Sequence, residues 1–144
     1  MAKATAFLDV PPEAVWAVLA DATTYVDWVV GCRRVRSVEG DWPAPRSAFH
    51  HSFGVGPAHV NDKTVVLECE PGRRLVLEAR AFPVGSAWVE ITLERAATGT
   101  HVVMDERPFR PLAFRLTAPL LAVPTVARNA LTLRRLGDVA RKRV

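Results

Sequence analysis

The chain is poor in the residues that announce a chemistry. It has two cysteines, Cys32 and Cys69, far apart and outside any CxxC spacing. That excludes a disulfide scaffold and a thiolate metal cage. Free thiols fit a reducing compartment, so a cytoplasmic location is expected. The four histidines form no HxxxH or HExxH motif, and no carboxylate cluster joins them. Neither a metal nor a cofactor is expected. His50 and His51 are adjacent, and in a strand they point to opposite faces. Long apolar runs are missing too. The first apolar stretch stops at Pro11-Pro12 and reads as a strand, not as a signal peptide or membrane span. Internal repeats and low-complexity segments are absent. Gly54-Val55-Gly56-Pro57 is too short and wrongly placed for a phosphate loop, and reads as a turn.

What is present is apolar residue in quantity. Of 144 residues, 49% are hydrophobic. A chain of this size buries roughly 68–70% of its unfolded surface. One domain spanning residues 1–144 is therefore expected. The net charge of +4 conceals an asymmetry. Residues 1–106 carry 10 Lys/Arg and 14 Asp/Glu, whereas residues 107–144 carry 9 Lys/Arg and only Asp138.

Turn chemistry divides the chain cleanly. Lys3 to Leu8 reads as a strand. Pro12 suits the first turn of a helix, where a missing N–H costs nothing, and Glu13 suits its positive end. Val15, Val18 and Leu19 share its buried side. Asp21 caps a second short helix through Tyr25 and Trp28, and Gly31 ends it. Six strands follow: Arg33–Glu39, Ser47–Val55, His59–Glu70, Arg74–Phe82, Ala87–Arg95 and Thr100–Arg107. Their short Gly- and Pro-containing breaks favour antiparallel neighbours. Pro111, Pro119 and Pro124 make residues 108–124 an irregular lead-in or a kinked helix. From Val126 the spacing is helical. Val126, Ala130, Leu133, Gly137 and Ala140 form an apolar stripe. Arg128, Arg134, Arg135, Arg141 and Lys142 form a basic, solvated back.

Alternation places side chains on faces. A three-residue loop at Val84-Gly85-Ser86 would pair Leu77 with Leu93, Ala79 with Ile91 and Ala81 with Val89. On the other face it would pair Arg80 with Glu90 as an exposed ion pair. A loop from Ala96 to Gly99 would pair Leu93 with Val102, Ile91 with Met104 and Val89 with Glu106. The inner face then runs from leucines to alanines and the Glu106 carboxylate, which suits the open end of a cavity. Phe49, His51, Phe53 and Val55 share one strand face, suited to an apolar ligand with a polar group. Asn129 falls inside the helical stripe and must find a partner there. Asp62, beside Asn61 and Lys63, reads as a hydrated edge or bulge residue.

Several stretches carry a family resemblance. They are Val10-Pro11-Pro12-Glu13-Ala14-Val15-Trp16, Trp28, Pro71-Gly72-Arg73-Arg74-Leu75-Val76-Leu77, Gly99-Thr100-His101-Val102 and Arg134-Arg135-Leu136. Together they resemble the START-like (SRPBCC) superfamily, in its polyketide cyclase/dehydrase-like branch. The resemblance implies an α+β helix-grip fold. About seven antiparallel strands would curve around a long C-terminal helix, with two short helices alongside. It also implies a hydrophobic cavity for lipids, sterols, hormones or polyketides.

Two functions follow as expectations. The first is binding of a hydrophobic small molecule, with Trp28, His51, Phe53, Ala81, Val89, Met104, Glu106, Phe114 and Asn129 at the ligand. The alternative is a polyketide aromatase/cyclase in which Glu106 and His51 move protons. A further reading is membrane or protein contact through Leu112, Phe114, Leu116, Leu120 and Leu121, flanked by Arg110 and Arg115. Nucleic acid is not an expected partner, because the basic face lacks interleaved aromatics. Monomer and homodimer both remain open.

Overall fold

A computed structural model describes the backbone of residues 2–55, 58–81, 85–109 and 114–143, and side chains for residues 3–53, 60–80, 85–109 and 126–143. Seven strands form one antiparallel sheet: β1 Ala2–Leu8, β2 Cys32–Glu39, β3 Ala48–Val55, β4 Ala58–Glu70, β5 Arg74–Ala81, β6 Gly85–Ala96 and β7 Gly99–Pro108. Their spatial order is β1-β7-β6-β5-β4-β3-β2. Strands β2 to β7 run as a meander, as their short connections require. The first strand closes the far edge against the last. Helix α1 (Pro12–Leu19), a 3-10 turn (Ala22–Thr24) and α2 (Tyr25–Trp28) link β1 to β2, and α3 (Phe114–Lys142) ends the chain. This is the helix-grip arrangement.

The helical linker forms as its residues demand. Pro12 occupies the first position of α1, and Val15, Val18 and Leu19 are fully buried. The Asp21 side chain accepts the Thr23 N–H at 3.1 Å and caps the 3-10 turn. Gly31 takes φ +95°, which turns the chain into β2 without the Cβ clash another residue would meet.

Between β6 and β7 the pairs are Leu93 with Val102, Ile91 with Met104 and Val89 with Glu106, as the alternation and loop length indicate. Between β5 and β6 the expected register is wrong by four residues. Leu77 pairs with Val89, Ala79 with Ala87 and Ala81 with Gly85. The turn therefore lies before Gly85, with Gly85 and Ser86 already inside the strand. An even shift leaves every side chain on its expected face. It does change neighbours. Arg80 stands opposite Ser86, not Glu90, and Glu90 instead accepts a hydrogen bond from Arg74 Nε. Arg80 donates to its own strand neighbour Glu78 at 3.3 Å.

The inner face tapers with this register. Leu75, Ile91, Met104 and Ala4 form one cross-strand row, and Leu77, Val89, Glu106 and Ala2 the next. Beyond them come Ala79 and Ala87. The first row is buried in the core with Val102, Leu93, Leu133 and Leu136, while Ala79 and Ala87 keep accessible surface. Glu106 thus shares its row with Leu77, not with Ala81.

Helix α3 also departs from expectation in its buried stripe. Asn129, Thr132, Leu133, Leu136, Gly137 and Ala140 face inward, whereas Val126 and Ala130 are exposed. The backbone is helical through Pro119 and Pro124 from Phe114 on. Among the described residues, no helix is long and apolar enough to cross a membrane.

Candidate functional site

The first polar group on the inner face is Glu106 of β7. Its side chain reaches the last helix. One Arg128 guanidinium nitrogen, Nη2, donates to Glu106 Oε1 at 2.7 Å and to Oε2 at 2.6 Å. Asn129 Nδ2 donates to Oε1 at 3.2 Å. Asn129 is almost wholly buried, so this bond satisfies an amide that would otherwise cost about 1–3 kcal/mol. Arg128 does not sit on a solvated basic back. It lies next to Asn129 in sequence, only one helical step from the buried stripe, and its long stem carries the charge back to the sheet. Its adjacency to an inward amide, opposite an inner-face carboxylate, was the signal that sequence reasoning overlooked.

The second polar group lies on the other half of the sheet. His51 of β3 is completely buried and shares its face with Phe49 and Phe53. Both phenylalanine rings approach it edge-on, with centroids at 5.6 Å and 4.3 Å. Among the described residues neither ring nitrogen finds a hydrogen-bond partner. Burial pushes the imidazole down to about 4, and the Lys63 backbone and the Asp62 carboxylate offset only part of that. Asp62 is partly exposed, on a stretch of β4 that pairs with β3. It stands directly opposite His51 on β4, on the same inner face. Arg36, at a bulge in β2, clamps this pair from outside by donating to both the His51 and Asp62 carbonyl oxygens at 3.3 Å.

Glu106 and His51 do not hydrogen-bond to each other. Three strands, β6, β5 and β4, separate their parent strands in the sheet. They are two polar stations on one surface, not an assembled acid–base pair.

The remaining expected residues fall into groups. Trp28 is buried beneath α3, and its Nε1 donates to Thr24 Oγ1 at 3.1 Å. It belongs to an aromatic cluster with Tyr25, Trp42 and Phe49, with ring centroids 4.4–5.5 Å apart. Leu19 O anchors that cluster, accepting from Tyr25 Oη at 2.8 Å and Trp42 Nε1 at 3.0 Å. Phe53 is half-buried beside His51, and Val89 and Met104 flank Glu106 on the sheet face. The side chains of Ala81 and Phe114 lie outside the described residues, as do those of Leu112, Arg115, Leu116, Leu120 and Leu121. Of the basic residues in the tail, Arg141 pairs with Asp9 and Asp138, and Arg143 with Asp21. The Asp9 and Asp21 contacts fasten α3 to the bend after the first strand and to the helical linker, and all three neutralise part of its positive charge. Among the described residues no group of three His, Cys, Asp or Glu is arranged to hold a metal.

A curved antiparallel sheet gripping a C-terminal helix defines the class of helix-grip proteins. The chain belongs to the family described as polyketide cyclase/dehydrase and lipid transport, whose model matches residues 1–140. No curated protein sequence matches it. Among solved structures it is similar in fold to the Zhui aromatase/cyclase of a Streptomyces species. The TM-score is 0.76 at 16% identity, covering 98% of this chain and 93% of that one. A protein from Nitrosomonas europaea gives 0.75 at 18% identity, covering 98% and 94%. The di-domain aromatase/cyclase StfQ of the steffimycin pathway gives 0.69 at 14% identity, covering 98% of this chain and 50% of its own.

Proposed function

We propose that this protein binds a hydrophobic small molecule, of the lipid or polyketide kind, between the inner face of the sheet and α3. The carrying observation is the taper. The inner face passes from fully buried leucine and isoleucine to the small residues Ala79 and Ala87, which keep accessible surface. Small side chains on a concave face leave room that their neighbours do not fill. Family membership supports the same reading. The test is native mass spectrometry of the purified protein, followed by extraction and by titration with fluorescent fatty acids and polycyclic phenols. Saturable binding of at least one probe is expected. No retained molecule and no saturable binding of any probe would refute it.

A second reading, catalysis of the aromatase/cyclase kind, draws on the family and on the fold likeness. Its residues would be His51 and Glu106. Against Glu106 as a free acid or base stands its engagement, since both carboxylate oxygens already accept from Arg128. If Glu106→Gln and His51→Ala both left turnover of a cyclising substrate unchanged, this reading would be lost.

A further inference from the structure

We propose that the outward face of α3 is a docking surface for an anionic lipid bilayer, with Leu131 entering the interface and Arg134, Arg135 and Lys142 meeting the headgroups. The proposal concerns the outside of the helix and stands apart from what the sheet and α3 enclose. Opposite its buried stripe, the helix exposes Ala127, Ala130, Leu131, Arg134, Arg135 and Lys142. At 1.5 Å per residue this face is about 22 Å long, enough to lie along a surface. Its first part is apolar: Leu131 is 38% exposed beside two exposed alanines, and Val126 on the flank is 45% exposed. Its second part is basic, and the cations there are free to act outside the molecule. Among the described residues, the carboxylates that reach α3 are each held already: Glu106 by Arg128, Asp9 and Asp138 by Arg141, and Asp21 by Arg143. Arg134, Arg135 and Lys142 have no hydrogen-bond or ion-pair partner among those residues.

An exposed apolar strip beside unpaired cations fits an anionic bilayer, whose headgroups attract the arginines while its acyl boundary takes the leucine. A protein or nucleic-acid partner finds less to hold. The described part of this face carries no Trp, Tyr or Phe to anchor a protein interface or to stack on bases. Flexible arginine and lysine stems suit a diffuse field of charge, and each basic residue near such a surface raises affinity about fivefold. The same stems let the leucine descend while the charges stay at headgroup level.

The test is co-sedimentation of the full chain with vesicles of phosphatidylcholine alone and of phosphatidylcholine with about 30% phosphatidylglycerol. Binding to the anionic vesicles only is expected, weakening about tenfold as salt rises from about 0.05 to about 0.3 M. The double variant Arg134→Gln, Arg135→Gln should bind about 25-fold more weakly, and Leu131→Ser about three- to tenfold more weakly. A second double variant, Arg34→Gln, Arg46→Gln, removes two exposed arginines from β2 and from the loop before β3, and should bind as wild type. All five side chains are exposed, so melts of every variant should stay within about 2 °C of wild type. Equal binding to both vesicle types, or none to the anionic ones, would overturn the proposal. Equal losses in the two double variants would also overturn it, by showing that net charge and not this face is at work. Unchanged affinity in Leu131→Ser, or a DNA duplex bound as tightly as the anionic vesicles, would do the same, since neither needs an apolar interface. None of these outcomes bears on ligand binding between the sheet and α3.

Discussion

The contact between Glu106 and Arg128 lends itself to a quantitative test. Arg128→Met keeps the aliphatic stem of the side chain and removes the guanidinium. Glu106 then retains only the Asn129 amide, at 3.2 Å. The magnitude follows from exposure. Fully exposed ion pairs are worth about 0–1 kcal/mol, and truncating one partner of a fully buried pair costs about 3–5 kcal/mol. Here the Glu106 side chain is 15% exposed and that of Arg128 40%, so the pair lies between the limits. A loss of about 2 kcal/mol is expected, or a fall in Tm of about 6 °C for a domain of this size. Arg134→Met is the control, since Arg134 is exposed and carries no such contact among the described residues. It should change stability by less than about 0.5 kcal/mol.

A double-mutant cycle isolates the pair. Glu106→Gln keeps an oxygen for Asn129 and deletes the charge. Urea denaturation of wild type, both single variants and the double variant should give a coupling energy of about 1–2 kcal/mol. It should shrink in high salt, because the guanidinium is partly in water. A coupling below about 0.3 kcal/mol would refute the claim that this contact ties α3 to the sheet.

Three further outcomes are expected. At Gly99 a Cβ would come within 2.1 Å of Leu8 O, which is backbone, whereas at Gly137 it would meet the Leu8 Cδ2 methyl at 2.8 Å. Gly99→Ala should therefore cost about 2–4 kcal/mol by denaturation, and Gly137→Ala close to nothing, because the methyl swings aside and alanine favours the helix. His51 has a folded value of about 4 against 6.5 ordinarily. The unfolded chain thus binds more protons between those values, and stability must fall as pH drops from 6.5 toward 4, by up to about 3 kcal/mol. His51→Leu should flatten that slope in melts across the window, with Asp62, Arg36 and His50 unchanged around it. A slope identical to wild type would contradict it. Finally, burial pushes the Cys32 thiol up to about 11. At pH 8 it should resist aromatic disulfide reagents until the protein unfolds, and labelling of Cys32 in the native state at the rate of a free thiol would contradict its placement.

The parts of the molecule that could be read from sequence are those governed by local rules. The order of elements follows from turn residues, and the face of each residue follows from period two. Both survive small errors, as the β5–β6 hairpin demonstrates. A loop placed too late moved the register by four residues, yet Leu77 and Val89 stayed inside because the shift was even. Neighbours are another matter, since they depend on register and on side-chain reach. The Arg80–Glu90 pair vanished with the register, and Arg74 took Glu90 instead. Arg128 shows the effect of reach. A helical wheel ends at Cβ, and a guanidinium on a flexible stem can return to a carboxylate that the wheel places behind it.

His51 and Asp62 illustrate a third limit. Their pairing joins β3 and β4, so neither strand alone reveals it, and a polar run such as Asn61-Asp62-Lys63 reads as solvent-facing by composition. The sheet overrides composition. Once the chain enters β4 opposite β3, alternation forces Asp62 onto the apolar face whatever its polarity. Charge on an inner face costs stability, and so does an unpaired imidazole. Thr64 and Thr100 also lie on this face, but Glu106, Asp62 and His51 break its apolar pattern with a charge or an imidazole. Glu106 finds its compensation inside the protein, in Arg128 and Asn129. His51 finds none among the described residues. That difference separates a carboxylate that fastens the helix from an imidazole that burial pushes down to about 4, and it makes His51 the more informative residue to change.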